Sequence, residues 1–161
     1  MTDLKTLYET DTVAWSEHQA AALRAAARGG SNRLLDWDNL AEEIEELAKS
    51  LRRRLRSQIG RIIQHQVKLE SSPDIDPRKG GWRQTIRLAR LDIDRILEES
   101  PSLRREIPRL IEKETAGAVQ LTILDLEDHA EIDQMELPTI RSTSYTEEQV
   151  IGDWFPEEPP Q

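Results

Sequence analysis

Apolar residues recur every three or four positions along most of this chain, which is the spacing of an α-helix with one buried face. The longest such stretch covers residues 37–70 and predicts one helix of about 50 Å, at 1.5 Å per residue. Asp36 is a favourable N-cap, and Ser71-Ser72-Pro73 ends the helix. The predicted buried stripe comprises Leu40, Ile44, Leu47, Leu51, Leu55, Ile59, Ile62, Gln66 and Leu69.

Three other long helices are predicted by the same spacing and by their end signals. The first begins at Thr10 to Thr12 and ends at the Gly29-Gly30 pair. The third begins near Trp82, which we expect to be buried with the apolar positions that follow it. The fourth runs from Pro101 to about residue 130, and Pro108 should kink or split it.

The C-terminal part has weaker signals. Residues 131–144 show no period and contain Leu137-Pro138, so we expect an irregular crossing segment. Thr146 and Gln149 fit the capping box of a short last helix, after which Trp154-Phe155-Pro156 should fold back. Residues 157–161 are expected to fray.

The length and composition favour one helical domain over residues 1–161. Of its residues, 37% are hydrophobic and 33% are charged, so the core should be thin and self-association as a homodimer becomes plausible. The fold class we predict is all-α, a helical bundle of four main helices with a long second helix and a short C-terminal helix.

Several chemistries are disfavoured because the sequence lacks the residues or motifs that they need. The chain has no cysteine, which removes disulfides, thiol nucleophiles and cysteine zinc sites. It shows neither a secretory leader nor an apolar run long enough for a membrane span, so we expect a cytoplasmic protein without membrane contact. No cofactor-binding motif is apparent, and we expect no cofactor and no resident metal.

Charge is sorted along the chain. Residues 1–48 carry a net charge of −6, residues 49–95 carry +8 and residues 96–161 carry −11. The basic block predicts either internal pairing with the acidic helices or binding to a polyanion. Its candidate anion patch, near the start of the third helix, comprises Arg78, Lys79, Arg83, Arg87 and Arg90.

Two smaller clusters could also carry chemistry. His65 and Lys68 lie one turn apart near the end of the long helix and form a candidate polar site. The carboxylates of Glu42 to Glu46 resemble half of the magnesium motif of all-helical nucleotide pyrophosphohydrolases. The second half of that motif, a glutamate with an aspartate three residues later, is absent from the chain.

The sequence also resembles a bacterial family, the domain-of-unknown-function family twenty-nine, over nearly its full length. The resemblance implies an all-helical fold and brings no assigned activity, substrate or catalytic residue. It rests on Leu7-Tyr8-Glu9-x-Asp11 with Trp15, Leu35-Asp36-Trp37-x-Asn39-Leu40 with Glu43-Ile44, His65 with Lys68, Trp82-x-x-Thr85-Ile86 with Arg90, Pro101-Ser102-Leu103, and Tyr145-Thr146-x-x-Gln149.

Three hypotheses for the function follow. The leading one is a noncatalytic binding or adaptor module that acts through protein contacts, with another protein or with a second copy. The first alternative is nucleic-acid or polyanion binding through the basic block of residues 49–95. The second is a metal-dependent phosphohydrolase that uses the Glu42 to Glu46 cluster.

Overall fold

The computed structural model describes residues 3–30, 36–72, 76–128 and 137–156, and within these residues all regular structure is helical, as predicted. No helix in the described ranges combines the length and apolarity needed to cross a membrane. The helices are α1 Leu4–Thr10, α2 Thr12–Arg28, α3 Trp37–Ser71, α4 Lys79–Glu99, a 3₁₀ helix Pro101–Glu106, α5 Ile107–Asp128, α6 Leu137–Arg141 and α7 Glu147–Ile151.

The long second helix of the prediction is confirmed as α3, which is a single helix of 35 residues. The split near Pro108 is also confirmed, since the 3₁₀ helix ends at Glu106 and α5 begins at Ile107. Proline is tolerated there because the first turn of a helix has no intrahelical acceptor for its backbone N–H groups.

Two short helices differ from the prediction. α1 was not predicted; Asp3 caps it by accepting a hydrogen bond from the backbone N–H of Lys5 at 3.1 Å. The expectation of an irregular segment over residues 131–144 is wrong where α6 forms, because proline can begin a helix although it cannot continue one. Residues 129–136 and the predicted frayed tail, 157–161, lie outside the described residues.

The chain divides into two compact units. The first contains residues 1–55 and 95–105, and the second contains residues 56–94 and 106–161. Both α3 and α4 therefore contribute residues to each unit. A single domain over the whole chain stays a prediction.

In the first unit, α2 and α3 run antiparallel. Arg52 of α3 forms an ion pair with Glu17 of α2 at 2.7 Å, and Glu45 of α3 forms one with Arg24 of α2. The later residue of α3 thus contacts the earlier residue of α2, as in antiparallel helices. Glu45 and Arg52 lie one turn after Ala41 and Ala48, two fully buried alanines of α3. The alanine face of α3 is therefore the one that approaches α2.

This packing corrects part of the predicted stripe. Leu40 and Leu47 were expected to be buried, but they are 41% and 47% exposed. Small side chains allow two helices to approach closely, so α3 turns Ala41 and Ala48 inward and the neighbouring leucines outward. From Leu55 onward the predicted stripe is confirmed, and Ile59, Ile62, Gln66 and Leu69 are all buried.

A cluster of polar groups connects the start of α2 to the 3₁₀ helix within the first unit. The Asp11 carboxylate accepts hydrogen bonds from the backbone N–H of Ala14 at 2.9 Å and from the backbone and hydroxyl of Ser102 at 2.8 and 2.9 Å. The Ser100 hydroxyl accepts from the backbone N–H of Val13 at 3.1 Å. Asp11 is therefore both a helix cap and a tertiary contact.

The second unit has an aliphatic core with Trp82 at its edge. Trp82 was expected to be buried, but it is half-buried, with the Lys68 ammonium 5.9 Å and the Arg78 guanidinium 5.2 Å from the centre of its ring. The cations attract the face of the indole ring. The largest fully buried apolar side chains of this unit are Ile59, Ile62, Ile63, Ile86, Ile93, Ile107 and Ile123.

We expect Asp11→Ala to lower the free energy of unfolding by about 1–3 kcal/mol, because the α2 cap and both contacts to Ser102 are lost together. Asp3→Ala is the matched control, since Asp3 caps only the short, exposed α1 and should cost less than about 1 kcal/mol. Urea unfolding measures both. Equal losses would contradict a tertiary role for Asp11.

Candidate functional site

The end of the described chain is held by one arginine of α4. Arg90 is 7% exposed and donates hydrogen bonds from Nε to the carbonyl of Val150 at 2.9 Å, and from Nη2 to the carbonyls of Gln149 at 2.9 Å and Trp154 at 2.6 Å. The last carbonyls of a helix have no intrahelical donor and carry partial negative charge. The Arg90 guanidinium supplies hydrogen-bond donors to these carbonyls, and its positive charge is opposite to their partial negative charge.

Other groups support the same attachment. Thr146 and Gln149 form the predicted capping box at the start of α7, which is confirmed. The fully buried side-chain amide of Gln66 also donates to the Gln149 carbonyl. Burial lowers the pKa of the Arg90 guanidinium, and the charges of Asp153 and Glu148 act in the opposite direction. α7 is therefore held from both α3 and α4 within the second unit.

Phe155 folds back onto α4 beyond this attachment. Its ring lies 4.8 Å from the Arg90 guanidinium carbon and 5.2 Å from that of Arg87. A cavity of about 530 Å³ opens between this ring and α4, and we call it the C-terminal groove. It is lined by Arg87, Arg90, Leu91, Asp94, Ile151, Asp153 and Phe155.

The groove combines apolar walls with charges of both signs. Leu91, which is 54% exposed, Ile151 and Phe155 form the apolar part, and Leu88, which is 59% exposed, lies one turn from Leu91 on α4. Arg87 contributes positive charge, and the two groove aspartates contribute negative charge. Leu88 and Leu91 together form a small exposed apolar surface beside the groove.

The five residues of the predicted anion patch do not share one exposed face. Lys79 and Arg90 are each 7% exposed, Arg83 is half-buried and Arg87 is exposed beside Phe155. Arg78 lies at the start of α4, where its guanidinium binds Asp76 at 2.7 Å and lowers the pKa of that carboxyl. Anion binding by this set stays a prediction.

In the candidate polar site of His65 and Lys68, the lysine already forms an ion pair within the protein. The Lys68 side chain is 13% exposed, and its ammonium binds Asp125 at 2.6 Å. Burial lowers the pKa of the half-buried His65, and the nearby charge of Lys68 lowers it further. His65 is therefore held toward its neutral form. A functional role for the pair stays a prediction.

The acidic cluster of α3 makes contacts with basic side chains. Glu45 binds Arg24 and Lys49, and the hydrogen bond from Arg24 is the main cause of the lowered Glu45 pKa. Glu46 binds Arg53 at 2.5 Å. Among the described residues, no group of three or more histidine or carboxylate side chains is arranged to hold a metal ion.

The groove was not identified from sequence, although one signal pointed to it. Arg90 follows the buried Ile86 by four positions and precedes the buried Ile93 by three, which places a cation on the buried face of α4. A buried cation needs acceptors, but the sequence does not show which carbonyls supply them.

We expect Arg90→Met to lower the free energy of unfolding by about 2–4 kcal/mol, since three carbonyls lose their charged donor. Amide hydrogen exchange should also become faster in α7. Arg87→Met is the control, because Arg87 is exposed and should cost less than about 1 kcal/mol. Unchanged exchange in α7 after loss of Arg90 would refute the anchoring role.

The lowered pKa of His65 predicts a pH dependence of stability. Unfolded His65 takes up a proton near pH 6.5, whereas folded His65 does so only at lower pH, so stability falls as the pH drops from about 6.5 toward the folded pKa. His65→Gln should reduce this fall, measured by urea unfolding at about pH 7.5 and about pH 5.5. His18→Gln, the same substitution at an exposed histidine, is the matched control variant.

Comparison with known proteins identifies the family without naming an activity. No curated protein matches the chain. A crystal structure from Rhodospirillum rubrum at 1.45 Å, described as an alpha-helical protein of unknown function, is 23% identical, with a TM-score of 0.61 over 92% of this chain and 98% of that one. This likeness shows the fold. Because the family model described as domain of unknown function DUF29 matches residues 7–155, the chain belongs to that family.

Proposed function

We propose that this protein is a noncatalytic protein-binding module whose C-terminal groove receives an amphipathic helix of a partner protein. The observation that carries the proposal is the pair of exposed leucines, Leu88 and Leu91, beside a groove with an anchored wall. Helix-in-groove recognition uses such a surface, where aliphatic anchors one turn apart enter an apolar cleft.

The groove wall is organised before any partner arrives. Arg90 donates a hydrogen bond to the carbonyl of Trp154, the residue before Phe155. The guanidinium groups of Arg87 and Arg90 both lie against the Phe155 ring. A surface that is already ordered loses less conformational entropy on binding, so more of the contact energy becomes affinity. Aromatic and arginine side chains are also the residue types that dominate binding energy at protein interfaces.

Charge at the groove specifies the partner further. Arg87 and Asp94 are seven residues apart on α4, which separates them by roughly 10 Å along the helix axis. Asp153 adds a second negative charge to the groove. A complementary helix would carry an acidic and a basic residue two turns apart, with aliphatic residues between them.

Nucleic-acid binding has weaker support. Much of the basic block is already matched by carboxylates within the units, since Lys49, Arg52, Arg53, Arg56, Lys68 and Arg78 all form ion pairs. Salt-dependent binding to a polyanion needs cations that can contact phosphates. The leucines and the mixed charge of the groove are better suited to binding a protein partner.

The test is selection of binders from a displayed library of helical peptides. We expect enrichment of peptides with two aliphatic residues one turn apart, flanked by an acidic and a basic residue. Leu88→Ser/Leu91→Ser should weaken the selected peptides at least about tenfold. Leu121→Ser/Leu124→Ser is the matched control, because these leucines are 57% and 47% exposed on α5 and should not matter.

A charge variant gives a second measurement. With Arg87→Glu, the selected peptides should no longer carry the acidic residue that is expected to face Arg87. The proposal fails if nothing is enriched or if the peptides bind the Leu88/Leu91 variant as strongly as the native chain. Salt-dependent binding of single-stranded or duplex oligonucleotides by the native chain, without peptide enrichment, would favour the polyanion hypothesis instead.

A further inference from the structure

A second cavity of the second unit lies between α5 and the chain that leads from α6 to α7. Its walls are one face of α5, from Pro108 to Gln120, and the chain from Arg141 to Tyr145. Its volume is about 560 Å³, which lies in the usual range for pockets that hold small molecules, and we call it the α5 pocket. No described residue lines both this pocket and the C-terminal groove.

The floor of the α5 pocket is apolar. Ile111 and Val119 lie about two turns apart on α5 and are 4% and 5% exposed, and Tyr145 opposite them is 9% exposed. Ala116, on the same face of α5, is exposed and has only a methyl group with which to fill the space. The pocket therefore offers carbon surface to a ligand along about 17 Å of helix, from Pro108 to Val119.

The hydroxyl groups nearest this floor are already used within the protein. Tyr145 donates a hydrogen bond to the Glu70 carboxylate at 2.9 Å, and Thr115 donates to the Ile111 carbonyl at 2.6 Å. The first bond ties the Tyr145 ring to α3, and the capping box of Thr146 fixes the chain that follows. The pocket is thus organised without a ligand, which reduces the entropy lost on binding.

The charges of the described lining are one cation and one carboxylate. Arg141 ends α6, is exposed, and forms no ion pair with the carboxylates that the structure describes. A guanidinium beside an apolar cleft matches a carboxylate, which accepts two parallel hydrogen bonds from it. Glu112 lines the same pocket, and its negative charge disfavours a ligand with further acidic groups.

We propose that the α5 pocket binds an aliphatic monocarboxylic acid. The carboxylate lies on Arg141, and the hydrocarbon chain lies against Ile111, Val119 and the Tyr145 ring. Dicarboxylates and nucleotides are excluded, because a single cation next to Glu112 does not balance several negative charges. The proposal concerns residues outside the C-terminal groove and does not depend on the function proposed for that groove.

The probes that test this are octanoate, octanol, which has the same chain without the charge, and suberate, the dicarboxylate of equal length. Isothermal titration calorimetry measures their binding to the full chain. We expect octanoate to bind with a dissociation constant of about 1 mM or lower. Octanol and suberate should each bind at least about fivefold more weakly.

Substitution of the charged groups tests the orientation of the ligand. Arg141→Gln should weaken octanoate binding at least about tenfold and leave octanol unchanged. Arg109→Gln is the matched control, because Arg109 is an exposed arginine of α5 that does not line the pocket, and it should change neither. Glu112→Gln should bring the affinity for suberate closer to that for octanoate.

Filling the pocket tests its location. Ala116→Phe places a ring in the pocket from an exposed position, so the variant should fold, as circular dichroism would show, and should lose octanoate binding. Ala22→Phe, at an exposed alanine of α2, is the matched control and should bind normally. Leu88→Ser/Leu91→Ser should also bind octanoate normally, which separates this pocket from the C-terminal groove. The proposal is overturned if the native chain does not bind octanoate at about 10 mM, if octanol binds equally well, or if Ala116→Phe binds octanoate normally.

Discussion

The hydrogen bonds from Arg90 to the carbonyls around α7 are the interaction on which α7 and the groove beside it depend. A five-residue helix cannot persist alone, because nucleation costs more than so few backbone hydrogen bonds return. Arg90 compensates by giving three carbonyls a charged donor. Phe155 is positioned as a consequence, and with it the wall of the C-terminal groove.

Several residues that carry the family resemblance meet in these polar clusters. Asp11 meets Ser102 in the first unit, and Arg90 meets Gln149 in the second. Each contact satisfies backbone groups at a helix end, where the helix cannot do so itself. These residues of the family pattern thus attach helix ends to other parts of the same unit.

The C-terminal groove is the apolar surface on which the proposed function rests. It is concave, contains an aromatic wall and carries mixed charge, which suits a different molecule of complementary pattern. Other exposed leucines, such as Leu121 and Leu124 on α5, lie outside it.

Much of the secondary structure could be determined from sequence, because helix period and helix ends are local properties. The length of α3, the split near Pro108 and the capping box of Thr146 all follow from neighbouring residues. Tertiary structure decided which apolar positions are buried. The helical spacing of apolar residues predicts that Leu40 and Leu47 are buried. In the structure Ala41 and Ala48 are buried instead, because their small side chains allow α2 to approach more closely. The role of Arg90 was decided in the same way, because its three acceptors lie about 60 residues further along the chain, beyond the reach of any local pattern.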